Sequence, residues 1–268
     1  MNLAADPGLP LLMRRLEGEA LPSLAMYKDK CLQRRLAVRM RACGVGTIAD
    51  YVGVLDAHPG EVERLRQALT INVTQFYRNP EAWRRLTEEL SGVEWQQRAT
   101  WSAWSAGCAS GEEAYTLAMA LSEASRSRPP VVIRVDGTDV DADCLQVARQ
   151  GRYPERALAE VLPEVRDRWT TVKGDQREVV PQLRSRVRFG QHDLGREPPP
   201  AAPYDVIACR NVLIYFERAS QEQVLERFLS ALRPGGLLLL GKVEMLVGPA
   251  REMLDTVDGR ERLFRRRP

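Results

Sequence analysis

Apolar and polar positions follow two different periods along the chain, and the change falls near residue 100. Up to about residue 90, apolar side chains recur every three or four residues, as at Leu32, Leu36, Val38 and Met40. That is the period of amphipathic helices. Pro59-Gly60 breaks this zone ahead of a helical segment from Glu61 to Leu69. Asn79-Pro80 opens another helix, with Pro80 suited to its first turn and Glu81 at the positive helix end.

From Thr100 onward, short apolar runs alternate with helical stretches. The runs predict strands over Thr100–Ser105, Val131–Gly137, Val187–Gly190, Tyr204–Cys209 and Leu237–Gly241. The stretches between predict helices over Gly111–Ser125, Asp141–Gln150 and Ser220–Leu232. Alternation at this interval implies βαβ units and a mostly parallel sheet covered on both faces, an α/β fold. Gly151–Arg186 fits this alternation poorly: it carries Tyr153-Pro154, Leu162-Pro163 and Lys173-Gly174-Asp175, and reads as an insertion with a small antiparallel piece of its own. These patterns divide the chain into a helical N-terminal domain, residues 1–90, and an α/β domain, residues 91–268, with the insertion at about 151–186.

Composition narrows the function classes. The 44% hydrophobic share of 268 residues is ample for a buried core. No stretch approaches the ~20 consecutive apolar residues that a membrane helix needs. The start, Met-Asn-Leu-Ala-Ala-Asp, lacks the basic flank and apolar core of a signal peptide, so a cytoplasmic protein is expected. Cys31, Cys43, Cys108, Cys144 and Cys209 are scattered and form no Cys-x-x-Cys pair, and the only histidines are His58 and His192; neither a zinc site nor a His-based triad is expected. A net charge of +3 conceals basic clusters at Arg34, Arg35, Arg39 and Arg41 and at Arg265–Arg267. With 6% aromatic residues and no broad basic surface, the chain does not read as a nucleic-acid binder.

The chemistry concentrates at Trp104-Ser105-Ala106-Gly107-Cys108-Ala109-Ser110-Gly111-Glu112-Glu113-Ala114-Tyr115. A strand runs into a loop of small residues and then directly into a helix, at the strand end where open α/β sheets bind cofactors. The spacing is neither Gly-x-Gly-x-x-Gly nor a phosphate loop, and Glu112 and Glu113 would repel a pyrophosphate. A ligand with a sulfonium, an amino group and ribose hydroxyls suits these acids better, which favours S-adenosylmethionine over NAD or ATP. The second strand ends in Thr138-Asp139-Val140-Asp141: Asp139 is expected at the ribose and Asp141 at the N-cap of the following helix.

Leu69–Pro80, Gly107–Glu113 and Cys209-Arg210-Asn211-Val212-Leu213-Ile214-Tyr215-Phe216 resemble three signatures of the chemoreceptor glutamate methyltransferases (CheR type), in the family's order and spacing, with similarity from about Tyr27 to Gly248. The resemblance implies a small all-helical N-terminal domain followed by a Rossmann-like class I S-adenosylmethionine-dependent methyltransferase domain with a small inserted β-subdomain. Carried over residue by residue, it implies a cofactor site of Asn72, Thr74, Arg78, Gly107, Glu113, Asp139, Asp193, Leu194, Arg210 and Asn211, with Arg78 and Tyr215 nearest the transferred methyl. The implied partner is the cytoplasmic helical domain of chemoreceptors or related signalling proteins, met by Arg34, Arg35, Arg39 and Arg41, with Arg14 and Arg15 upstream. A monomer that inserts in no membrane and binds no nucleic acid is expected, releasing S-adenosylhomocysteine.

A glutamate with pKa near ~4.3 is ionised at neutral pH, so attack on a sulfonium methyl requires no general base. The chain departs from the family pattern at Ala114, where a proline is usual, and at Gly241-Lys242-Val243-Glu244-Met245, which keeps only the Gly and Glu of a Gly-His-Ser-Glu-Asn stretch. The insertion lacks the glycine-rich turn of members that grip a receptor's C-terminal pentapeptide, so independence from that tether is expected. The competing reading is a catalytically weak, cofactor-binding adaptor docked on a signalling array. A nucleic-acid methyltransferase and an NAD-linked oxidoreductase lack their motifs.

Overall fold

The computed structural model describes residues 6–16, 26–70, 72–95, 97–127 and 129–268. They form two compact units, one of described residues up to Thr70 with Tyr215–Ser220, the other of Asn72–Ile214 and Gln221–Pro268.

In the first unit the 3.6-residue period gives α1 (Leu9–Arg15), α2 (Asp29–Ala42), α3 (Ile48–Ala57) and α4 (Pro59–Leu69). Leu12, Leu36, Met40, Ile48, Leu55, Leu65 and Leu69 form their core. Val38, two residues out of phase with Leu36 and Met40, is 46% exposed. Pro59 begins α4 rather than merely ending α3, because a helix's first turn needs no N–H from it. The Thr47 hydroxyl caps α3 by accepting from Asp50 N at 3.1 Å. The segment Tyr215–Ser220 joins this unit through Lys28 N to Tyr215 O (2.8 Å) and Glu217 N to Met26 O (2.7 Å).

Arg39 does not stand free for a partner. Its Nε and Nη2 donate to Glu61 Oε1 and Oε2 at 2.8 and 2.7 Å, and Tyr51 Oη donates to Glu61 Oε1 at 2.7 Å. The Glu61 side chain is 2% exposed, so Arg39 neutralises a buried carboxylate. Truncating one member of such a pair strands the other, and Arg39→Ala is expected to destabilise this unit by about 3 kcal/mol in urea denaturation. The exposed Arg34→Ala should stay within ~0.5 kcal/mol of the parent chain.

The second unit runs α5 (Pro80–Leu90), β1 (Thr100–Ala106), α6 (Glu112–Ala124), β2 (Val132–Asp139), α7 (Ala142–Gln150), β3 (Arg152–Pro154), α8 (Pro163–Trp169), β4 (Thr170–Lys173), β5 (Gln176–Val179), α9 (Pro181–Arg184), β6 (Val187–Gln191), β7 (Tyr204–Cys209), α10 (Arg218–Ala231, from Gln221 onward), β8 (Leu232–Leu240), α11 (Ala250–Met253), β9 (Leu254–Asp258) and β10 (Leu263–Arg266). Seven strands lie in the order β6-β2-β1-β7-β8-β10-β9. The first five are parallel, and β10 is antiparallel to both neighbours. The strand β8 starts earlier than Leu237, and the β9–β10 hairpin was not expected from the pattern. Its arginines are engaged: Arg265 pairs with Glu89 and Glu94, Arg266 donates to Leu232 O, and Arg267 reaches Asp255 at 2.8 Å.

The helix α5 belongs to this unit, so the division falls at 70–72 and not near residue 90. Its buried face, Trp83, Leu86 and Leu90, enters the core beneath the sheet with Trp95, Trp101, Leu117 and Leu121. The insertion holds the antiparallel sheet β3-β5-β4, closed by a two-residue turn in which Gly174 has φ +63°. Two short helices, α8 and α9, accompany it.

Candidate active site

In this strand order β1 lies between β2 and β7, so the chain leaves the carboxyl ends of adjacent parallel strands in opposite directions. A crevice opens at such a switch point. The loop Gly107–Gly111 borders it. Gly107 N and Cys108 N donate to Thr138 O at 2.8 and 2.9 Å. Ala109, at φ +46°, donates its N–H to Asp139 Oδ2 at 2.8 Å. Gly107 has φ +80°, and a Cβ there would lie 2.5 Å from Val212 Cγ2. At Gly111 a Cβ would meet Ala148 Cβ at 2.7 Å and the Tyr153 hydroxyl at 3.0 Å. Both sites admit only glycine without displacement.

Two carboxylates face this loop. The Asp139 carboxylate accepts from Ala109 N and, through Oδ1, from Asp141 N at 2.9 Å. Burial raises its pKa, against the pull of those amides. Glu113 accepts from Ser105 Oγ at 3.0 Å. Burial pushes its carboxyl up to about 7, although Arg210 pulls the other way. Both groups favour a cation, which would restore their ionised forms. Asp141 serves as the expected cap, accepting from Asp143 N and Cys144 N at 3.0 and 3.2 Å. Asn72 Nδ2 donates to its other oxygen at 2.7 Å.

The remaining walls come from three strand ends and one loop. Beyond β7, Arg210 is buried over the Trp83 ring (5.1 Å) and donates Nη2 to Asn79 Oδ1 at 2.9 Å. Asn211 sits at φ +63°, and among the described residues its buried Oδ1 has no partner. Glu244 holds this turn: its Oε1 accepts from Val212 N and Leu213 N, and its Oε2 from Asn211 N and Gly241 N, at 2.6–2.9 Å. Beyond β6, His192 N donates to Asp139 O at 3.0 Å. There Asp193 Oδ1 accepts from Gly195 N at 2.8 Å, and Leu194 is buried. Arg227 of α10 donates to Leu194 O and to Gly195 O (3.1 Å).

The segment from Asn72 to Pro80 passes over a cavity of about 310 Å³ lined by Val73, Thr74, Arg78, Asn79 and Glu160. Arg78 Nη1 donates to Val73 O at 3.0 Å. Residue 71 of the signature lies outside the described residues. Phe76 N donates to Ala157 O at 3.1 Å and packs on Tyr153 with ring centroids 4.9 Å apart. The Tyr153 hydroxyl donates to Ser110 O at 2.7 Å. Thus Asn72, Thr74, Arg78, Gly107, Glu113, Asp139, Asp193, Leu194, Arg210 and Asn211 all lie in the second unit: Asp139 ends β2, Glu113 is in the first turn of α6, and the others are in loops following the strands or in the segment before α5. Tyr215, half-buried, is in the first unit. Arg34 and Arg41 of α2 are exposed and Arg35 is partly so. Ser105, Tyr153, Arg227 and the role of Glu244 were not read from the sequence. The retained Gly-x-x-Glu of residues 241–244 was the available signal for Glu244.

A family model described as CheR methyltransferase, SAM binding domain, matches residues 72–263, and one described as CheR methyltransferase, all-alpha domain, matches residues 10–70. Chemotaxis protein methyltransferase 2 of Pseudomonas aeruginosa is 36% identical over 230 residues, spanning 84% of this chain and 81% of that protein. The chemotaxis protein methyltransferase of Listeria monocytogenes is 31% identical over 236 residues, spanning 88% of each. An uncharacterized 104.1 kDa protein of Rhodobacter capsulatus is 36% identical over 225 residues, and there the chain spans 24% of the relative's length.

Proposed function

The chain belongs to the CheR methyltransferase family, and we propose that it transfers a methyl group from S-adenosylmethionine to glutamate side chains of bacterial chemoreceptors or related signalling proteins, giving methyl esters. The observation that carries this reading is a pair of buried carboxylates, Asp139 and Glu113, bordering a glycine-tightened loop at the switch point. Such a pocket fits the fixed positive charge, amino group and ribose hydroxyls of S-adenosylmethionine and rejects a pyrophosphate. The unpartnered Asn211 Oδ1 offers a further acceptor.

When bound, the cofactor supplies an electrophilic methyl on sulfur. Asp139 would hold the ribose hydroxyls, and Glu113 the cationic end. Asp193 and Leu194 would line the adenine, and Asn72, Thr74, Gly107, Arg210 and Asn211 would complete the pocket. The substrate glutamate arrives ionised, so the protein's task is to orient it and exclude water. Arg78 offers paired donors to that carboxylate, and Tyr215 a phenolic O–H. The exposed Arg34 and Arg41, with Arg35, would meet the acidic helical surface of the cytoplasmic receptor domain, while Arg39 braces the unit from within. The protein would act as a cytoplasmic monomer without a pentapeptide tether. No helix among the described residues is long and apolar enough to cross a membrane.

The test is methyl transfer from labelled S-adenosylmethionine to receptor cytoplasmic fragments, read as labelled methanol released from the base-labile esters. Arg78→Ala is expected to lower turnover by about tenfold to a hundredfold, the range for losing a charged hydrogen bond. Cofactor binding without any methyl ester would instead support the docking-adaptor reading.

A further inference from the structure

A second cavity, of about 290 Å³, lies at the opposite end of α6 from Glu113. Thirteen helical residues at 1.5 Å each separate the two ends by roughly 20 Å. Its lining includes Ser122 of the last turn of α6, Ser125 and Arg126 just beyond it, Arg168 and Trp169 of the insertion, and Arg186, with Pro130 and Val131 as an apolar side. Three arginines therefore face one small space.

The ion pairing there is incomplete. Glu123 is the neighbouring acid: its Oε2 accepts from Arg168 at 2.6 Å and Arg126 at 3.3 Å, and its Oε1 accepts from the Trp169 indole at 2.7 Å. Arg186 has no carboxylate partner among the described residues. It donates Nη1 to Ser122 Oγ and lies 5.4 Å from the Trp169 ring centroid. Arg186 thus lies against the Trp169 ring and lines the cavity with a guanidinium that carries five donors. Burial lowers its pKa, so the bare cation is held at a disadvantage that an anion would relieve. The negative end of α6 accounts for one nearby arginine by simple dipole complementarity, but not for three.

We infer that this cavity is an anion site that takes the phosphate group of a small phosphorylated molecule, distinct from the methyl-transfer pocket. Three separate guanidinium groups suit the three free oxygens of a phosphate monoester better than the two of a carboxylate. The cavity has room for a single head group, whereas a nucleic acid would need an extended basic stripe.

The probe is inorganic phosphate, titrated at constant ionic strength into the full chain while the Trp169 indole N–H is followed by NMR. Phosphate is expected to shift that resonance saturably, and acetate at equal concentration is expected not to. Arg186→Gln should weaken the phosphate response by about tenfold, with Arg186→Lys intermediate because it keeps charge without the fork. Affinity for S-adenosylhomocysteine should be unchanged in both. If Arg186→Gln fails to fold, Arg168→Gln, on a partly exposed side chain, is expected to weaken the response in the same direction. An unmoved indole resonance, an equal response to acetate, or an equal phosphate response in the arginine variants overturns the site.

Discussion

Glu244→Ala is expected to lower the stability of the second unit by about 4 kcal/mol, from four stranded donors at roughly 1 kcal/mol or more each. The same change should weaken S-adenosylmethionine binding by about a hundredfold or more, since it releases the turn that carries Asn211. The four amides at issue belong to Asn211, Val212, Leu213 and Gly241, and among the described residues no other acceptor is bonded to them. A Cβ at Gly241 would lie 2.7 Å from Glu244 Oε2 and 2.8 Å from Asn211 N, so the turn cannot close on a substitute side chain there. Asn211 at φ +63° is held in a region that asparagine tolerates only when its surroundings fix it. Glu244→Gln is the sharper variant. Its amide keeps one acceptor oxygen and turns an N–H₂ toward two of the backbone donors, so about half the loss should remain. Urea denaturation and calorimetry measure the two effects, and a Glu244→Ala protein within ~1 kcal/mol of the parent would remove Glu244 as the staple.

Cofactor affinity is expected to rise about tenfold per pH unit between roughly pH 5 and 7 and then level off, through Glu113. Burial lifts this carboxyl to about 7 from its usual 4.5. With the folded-state value above the unfolded one, the folded protein holds the extra proton. Its stabilising contribution is complete below pH ~4.5 and is lost as pH rises through 7, about 3 kcal/mol in all. A cationic ligand reverses the preference, because it pairs with the ionised form and expels the proton. Calorimetry at pH 6 in two buffers of different ionisation enthalpy should give different heats, and the heats should converge at pH 8. Glu113→Gln should bind more weakly at pH 8 and lose most of the dependence; burial also raises Asp139 and Glu112, which account for the residue. A dissociation constant flat across this range in the parent protein would count against Glu113 as the cation's partner.

The strand–loop–helix at Trp104–Tyr115 was legible because local rules agree there: apolar run, glycines and a helix start fall in one order. Asp141 as a cap was legible for the same reason. What escaped reading depends on distant partners. Arg39 looks like a surface charge until Glu61 is folded beneath it, and Glu61 is buried only because Tyr51 and Arg39 converge on it. The strands β9 and β10 interleave acids and arginines with Leu254, Val257, Leu263 and Phe264, so their pattern reads as polar until Glu89, Glu94 and Asp255 are brought alongside. The helix α5 has the same period as the helices before it, and nothing in that period states that Trp83 and Leu86 will pack with the sheet. Around the loop, Ser105 and Arg227 act through side-chain reach that no spacing encodes.

The hydroxyl of Tyr153 and the carbonyl of Ala157 come from the insertion, yet one fastens Ser110 and the other Phe76. The appendage is therefore a keystone rather than a detachable cassette. A change at either anchor point is felt at the loop Gly107–Gly111 or in the segment before α5, whereas the far edge at β4 and its turn carries neither contact. Grafting another subdomain onto this chain would therefore amount to re-tensioning the loop Gly107–Gly111 and the segment before α5.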